Sequence, residues 1–112
     1  MVAVKYGNYD YLMGADVNFA NPEVREELLR WGKWYFETAK LDGVRLDAVK
    51  HISYAFFVWW LKSMRRDLCR EFFAVGEYWH SDVNVLRGYL ENSCRTMSLF
   101  DVSLHFRFLR AG

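Results

Sequence analysis

Two carboxylates lie thirty positions apart, each closing a short apolar run: Gly43-Val44-Arg45-Leu46-Asp47 and Phe73-Ala74-Val75-Gly76-Glu77. A helix-length segment separates them, so the unit reads as strand, helix, parallel strand. Adjacent strands sit about 4.8 Å apart, which would bring carboxyl groups at their carboxyl ends to roughly 5 Å. At that separation one carboxylate can attack an anomeric carbon while the other gives and then takes a proton. Alternation along a strand puts Arg45 and Asp47 on the same side, where the guanidinium can hold Asp47 ionised and oriented, as a nucleophile requires. Gly76, Tyr78 and Trp79 give Glu77 the apolar setting suited to a general acid. By residue type alone, Arg45 and Asp47 also suit an ion pair that merely closes a sheet end. A lone Glu in an apolar strand is more often an edge residue.

The elements that must position these groups follow from periodicity and capping signals. Residues 1–20 read as a loop, broken by Gly7, Asn8, Asp10, Gly14, Asp16 and Asn18. Asn21-Pro22-Glu23 opens a helix with a capping side chain, Pro at the first helical position and acid in the first turn. Val24, Leu28, Trp31 and Tyr35 then form one apolar stripe through about Lys40. Val44 to Val49 reads as a strand. Ser53 can cap a second helix to about Leu68, with Tyr54, Phe57, Trp60, Leu61, Met64 and Leu68 inward. Phe72 to Tyr78 is a strand, Ser81-Asp82 opens a shorter helix through Leu90, and Met97 to Phe100 is a third strand leading into Asp101. The alternation predicts an α/β fold with a parallel sheet, in one domain over 1–112 with no internal boundary.

The bulk numbers exclude some functions. The chain has 112 residues and a net charge of +1, with acids and bases interspersed. This gives no support for a nucleic-acid surface or a polybasic membrane patch. No window is apolar enough to span a bilayer. Aromatics make up 19 % of residues, enough to build a core and to supply sugar-stacking platforms as well. Cys69 and Cys94 have neither metal-ligand nor CxxC spacing and are expected as free thiols.

Gly43-Val44-Arg45-Leu46-Asp47-Ala48-Val49-Lys50-His51 and Phe73-Ala74-Val75-Gly76-Glu77-Tyr78-Trp79 resemble the fourth- and fifth-strand signatures of the α-amylase family, glycoside hydrolase family thirteen. The match through Asn8–Ala15 and Trp31-Gly32-Lys33-Trp34-Tyr35 resembles its bacterial liquefying type. The resemblance implies a partial (β/α)8 TIM barrel, roughly strands four to six with their helices. It implies retaining hydrolysis of internal α-1,4-glucosidic bonds in an α-glucan such as starch, glycogen or maltooligosaccharides. Asp47 would be the nucleophile, Glu77 the general acid and base, and Arg45 the partner of Asp47. Lys50 and His51 would contact glucose units on the aglycone side, with Trp79 a stacking or cleft-wall residue. Asp101-Val102-Ser103-Leu104-His105 resembles the sixth-strand end, usually written with Pro where Ser103 stands. That departure is expected to cost turn rigidity. Whether Asp101 and His105 bind sugar or brace the loop is left open by the pattern.

The resemblance also implies a structural calcium ion. Asn8 to Asn18 resembles the loop that holds it, with Asp10 and Asp16 at ligand positions and the His51 backbone carbonyl as a further donor; oxygen donors of this kind suit calcium. Asn18 and Ala20 stand where relatives carry acids, which argues against more than one ion. The family's third-strand His and seventh-strand Asn-His-Asp stretch are absent, and a barrel needs about 250 residues. The chain is therefore expected to be a piece of a longer product, inactive alone, with Met1 an artefact of cutting or gene calling and the compartment unreadable. The rivals are a related α-glucosidase or transglycosylase, which share Arg45, Asp47 and Glu77, and a truncated non-catalytic remnant.

Overall fold

A computed structural model describes residues 17–112. The element order is α1 (Pro22–Ala39), β1 (Gly43–Leu46), a 3-10 turn (Val49–His51), α2 (Tyr54–Leu68), β2 (Phe73–Gly76), α3 (Val83–Asn92), β3 (Ser98–Leu99) and α4 (Val102–Ala111). The three strands form one parallel sheet in the order β1-β2-β3, with Gly43 opposite Phe73, Leu46 opposite Gly76, and Gly76 opposite Leu99. Among the described residues this is an α/β architecture in which every strand pairs with the next in the chain.

Local chemistry explains where the helices begin. The Asn21 side chain accepts from the Glu23 backbone N–H at 2.9 Å, Ser53 from Ala55 at 3.2 Å, and Asp82 from Asn84 at 2.8 Å. Each satisfies one of the N–H groups that a first helical turn leaves without an internal partner. α1 and α2 end at Lys40 and Cys69, both in the left-handed region at φ 53°. Their N–H groups return to carbonyls of the last turn.

The core lies between the sheet and the first two helices, built from Phe36, Phe57, Trp60, Leu61, Met64, Phe72, Ala74 and Met97. Phe36 and Phe72 meet at 4.5 Å between ring centroids, and the Trp60 indole N–H donates to the Leu28 carbonyl at 3.2 Å. Along β2, Ala74 and Gly76 are buried, whereas Phe73 is 61 % exposed. Period-two alternation thus turns one face of the sheet toward the helices and, among the described residues, leaves bare the other, the one bearing Phe73 and Arg45.

Arg65 ties the entries of two strands together. Its Nε and Nη2 donate to the Phe72 carbonyl at 3.3 and 2.9 Å, and its Nη1 donates to the Thr96 carbonyl at 2.8 Å. The guanidinium also lies 5.0 Å from the centre of the Phe72 ring.

Several expectations are corrected. The strands are shorter than their apolar runs: β1 stops at Leu46 rather than Val49, because Ala48 turns left-handed at φ 48° and Val49 enters the 3-10 turn. β2 covers Phe73–Gly76 rather than Phe72–Tyr78, and β3 only Ser98–Leu99. The buried side of α1 carries Gly32 and Phe36, while Trp31 and Tyr35 are 48 % and 42 % exposed. Tyr54 of α2 is likewise exposed, and Phe56 is buried in its stead. α4 was not expected; Asp101 caps it, accepting from the Leu104 N–H at 3.0 Å. Cys69 and Cys94 are free thiols.

Candidate active site at the carboxyl ends of β1 and β2

The two apolar runs differ in where they release their carboxylates. Glu77 follows β2 directly and continues its ladder: its N–H donates to the Leu46 carbonyl at 2.9 Å, and its own carbonyl accepts from Val49 at 3.0 Å. Asp47 follows β1, just before the left-handed Ala48 swings the chain into the Val49–His51 turn. The register that sets Leu46 opposite Gly76 sets the next pair, Asp47 and Glu77, at the same level of the sheet.

Arg45 joins them. Its Nη2 lies 3.2 Å from Asp47 Oδ1, and the same nitrogen is hydrogen-bonded to Glu77 Oε2. One nitrogen touching both carboxylates keeps their nearest oxygens within about 6.5 Å, twice the length of an N–H···O bond. The Asp47 side chain is 76 % exposed and that of Glu77 21 % exposed. The Asp47 pair is therefore screened and contributes under about 1 kcal/mol to stability. A cation shared between two carboxylates suits chemistry in which one must stay charged while its neighbour moves a proton. The sequence reading gave Arg45 to Asp47 alone. The contact with Glu77 follows from the parallel register, which a single strand does not reveal.

The flanking residues group around Trp79. Lys50, in the turn after Asp47, donates from Nζ to the Trp79 carbonyl at 3.2 Å. Trp79 is 46 % exposed, and its ring makes edge contacts with His105 at 5.5 Å and with Phe106 at 6.0 Å between centroids. Ser103 Oγ donates to the Ser81 carbonyl at 3.0 Å, joining the first turn of α4 to the loop after Trp79. His105 and Ser103 thus brace that loop. Position 103 sits in the first turn of α4, and its hydroxyl makes this hydrogen bond. Asp101 is a helix cap.

His51 ends the 3-10 turn and is partly buried. Asp10 and Asp16 lie outside the described residues, so of the expected calcium donors only His51 is placed. Among the described residues no group of three His, Cys, Asp or Glu side chains could hold a metal ion, and no helix is long and apolar enough to cross a membrane. A groove of about 290 Å³ between α1, β1 and α2 is lined by Trp31, Tyr35, Phe36, Val44 and Trp60 and reaches the carboxylates only through Arg45. It follows the edge of β1 that no other described strand pairs with, apart from the site.

The chain matches the family description "Alpha amylase, catalytic domain" over residues 5–111. It is 51 % identical over 111 residues to an α-amylase of Geobacillus stearothermophilus and 46 % identical over 111 residues to an α-amylase of Bacillus licheniformis. Both alignments cover 99 % of this chain but only 20 % and 22 % of those proteins, so the chain spans about a fifth of the length of the curated relatives it matches. A crystal structure of an Anoxybacillus α-amylase superposes with a TM-score of 0.63 at 33 % identity, covering 70 % of this chain and 17 % of that one.

Proposed function

This chain belongs to the α-amylase catalytic-domain family, and from that premise we propose that it is part of a retaining α-glucan hydrolase, roughly strands four to six of a (β/α)8 barrel. Asp47 is the nucleophile and Glu77 the general acid and base. The observation that carries this reading is the single Arg45 nitrogen in contact with both carboxylates at the ends of neighbouring parallel strands.

The chemistry runs in two steps. The Asp47 carboxylate attacks the anomeric carbon as Glu77 protonates the departing glycosidic oxygen, and the glycosidic bond breaks while an ester to Asp47 forms. Glu77, now a carboxylate, removes a proton from water. The water oxygen displaces Asp47 and restores both groups with the anomeric configuration retained. Arg45, in contact with both, stabilises whichever of the two bears the negative charge at each step, Asp47 before attack and Glu77 after it. Lys50 holds the Trp79 backbone, and Trp79 offers an aromatic face to the glucose units beyond the scissile bond, with His51 beside them. Asp10, Asp16 and the His51 carbonyl would supply oxygen donors of the kind a structural calcium ion takes.

The test uses the full-length protein. Asp47→Asn and Glu77→Gln each lower turnover of a maltooligosaccharide by about a thousandfold or more while circular dichroism stays unchanged. Proton NMR of the first product shows the α-anomer. Release of the β-anomer, or a variant with near-normal turnover, refutes the assignment.

A further inference from the structure

The loop that carries Trp79 is held from three sides, and α4 supplies two of the holds. At the backbone, Lys50 Nζ donates to the Trp79 carbonyl. At the ring, His105 stands edge-on at an interplanar angle of 84° and Phe106 at 85°. At the following turn, the hydroxyl of Ser103, a residue only 4 % exposed, donates to the Ser81 carbonyl at 3.0 Å. Within that turn His80 Nδ1 accepts from the Asp82 N–H at 3.0 Å, and Asp82 caps α3. The stretch from Trp79 to Asp82 is therefore tied at both ends, while 46 % of Trp79 remains exposed.

An aromatic platform stacks a sugar ring well only if it does not rotate away. A lone half-exposed tryptophan on a loop has rotamer freedom to lose on binding, and edge-on neighbours remove that freedom beforehand. We propose that the first turns of α4, through Ser103 and His105, are the brace that fixes Trp79, which makes both of them positioning residues for the sugar beyond the scissile bond. This rests on the α-glucan reading of the carboxylate pair. Neither side chain is in contact with the pair or with Arg45 in any hydrogen bond or ion pair described, so the brace acts on substrate affinity and leaves the bond-breaking step alone.

The test is a double-mutant cycle in the full-length protein with short maltooligosaccharides. Ser103→Ala removes the hydroxyl, and Ser103→Thr keeps it. His105→Ala removes the edge contact, and His105→Phe keeps a ring there. Ser103→Ala and His105→Ala each raise KM by about threefold to tenfold with kcat within about twofold, the loss expected of one restraint worth one hydrogen bond. Thr and Phe restore KM. In a Trp79→Ala background the same changes leave KM where Trp79→Ala alone puts it, because the brace works only through that ring. Unchanged KM in the single variants overturns the proposal, and so does an additive effect in the Trp79→Ala background, which a merely structural role would give. If Ser103→Ala fails to fold, the His105 pair of variants decides by the same criteria. A wild-type protein that turns over no α-glucan refutes the underlying reading and the brace together. Normal wild-type turnover with an unresponsive KM refutes the brace alone.

Discussion

Removing the Arg65 guanidinium should loosen the sheet at the end opposite the carboxylates, and the loss can be worked out. Arg65 is 15 % exposed at its side chain and makes three hydrogen bonds to two carbonyls, those of Phe72 and Thr96. Both acceptor residues are buried, at 4 % and 8 % exposure, so water cannot easily replace the donor. A hydrogen bond to a charged group contributes about 1.5–3 kcal/mol, and leaving two buried carbonyls unpaired puts Arg65→Met at about 3–5 kcal/mol of lost stability. Arg65→Lys keeps the charge but offers a point donor where a planar fork served two strands, so it loses about half as much. Glu71, 3.9 Å from Arg65, is 93 % exposed, and Glu71→Gln should change stability by less than about 0.5 kcal/mol. The assay is urea unfolding of the full-length protein followed by tryptophan fluorescence, with hydrogen exchange to localise the change. Exchange should accelerate in β2 and β3 and not in α1. A loss under about 1 kcal/mol for Arg65→Met, or faster exchange spread evenly over the chain, refutes the reasoning.

Three further outcomes follow from the site. Arg45→Ala in the full-length protein should lower turnover by about a hundredfold or more with the fold intact, since it removes a cation shared by Asp47 and Glu77; circular dichroism and kcat together check this. The 112-residue polypeptide expressed alone should hydrolyse a chromogenic maltooligosaccharide no faster than its own Asp47→Asn variant. Its Asp47 and Arg45 side chains are 76 % and 53 % exposed, and water screens the electrostatics that the reaction needs. Chelation of calcium should lower the melting temperature of the full-length protein, and Asp10→Asn with Asp16→Asn should abolish that response.

The helices with caps were legible in the sequence. Asn21, Ser53 and Asp82 each accept the N–H two residues on, and such side-chain oxygens ahead of an apolar run are a local signal. α4 carries the same signal in Asp101, but Leu104, Phe108 and Leu109 of its apolar stripe are exposed in this chain, and a strand was the expected element just before it. Strand ends were harder. Val49 belongs to an apolar run and is fully buried, yet it serves a turn, because burial and strand conformation are separate demands. The stripe on α1 was misplaced for a related reason. Trp31 and Tyr35 obey helical spacing, but Gly32 admits the Trp60 ring and Met64, and that close approach decides which side of the helix faces inward. At the site, spacing drew attention to Asp47, Glu77 and Arg45, and only the surrounding motif, through its resemblance to a family, suggested roles for them. That Arg45 reaches both carboxylates, and that Ser103 and His105 reach the Trp79 loop, depends on register and on a helix docking from later in the chain.

The sheet order β1-β2-β3 has a temporal meaning. Among the described residues every pairing joins a strand to the one synthesised just before it, and a single crossover through α2 lies between Asp47 and Glu77. As the chain leaves the ribosome, the Arg45 guanidinium can find both acids once β2 has emerged, with no later strand needed to bring them together. The carboxylate pair is thus a local product of one βαβ unit, and mistakes made further along a growing polypeptide would spoil the surroundings of the pair before they spoiled the pair itself.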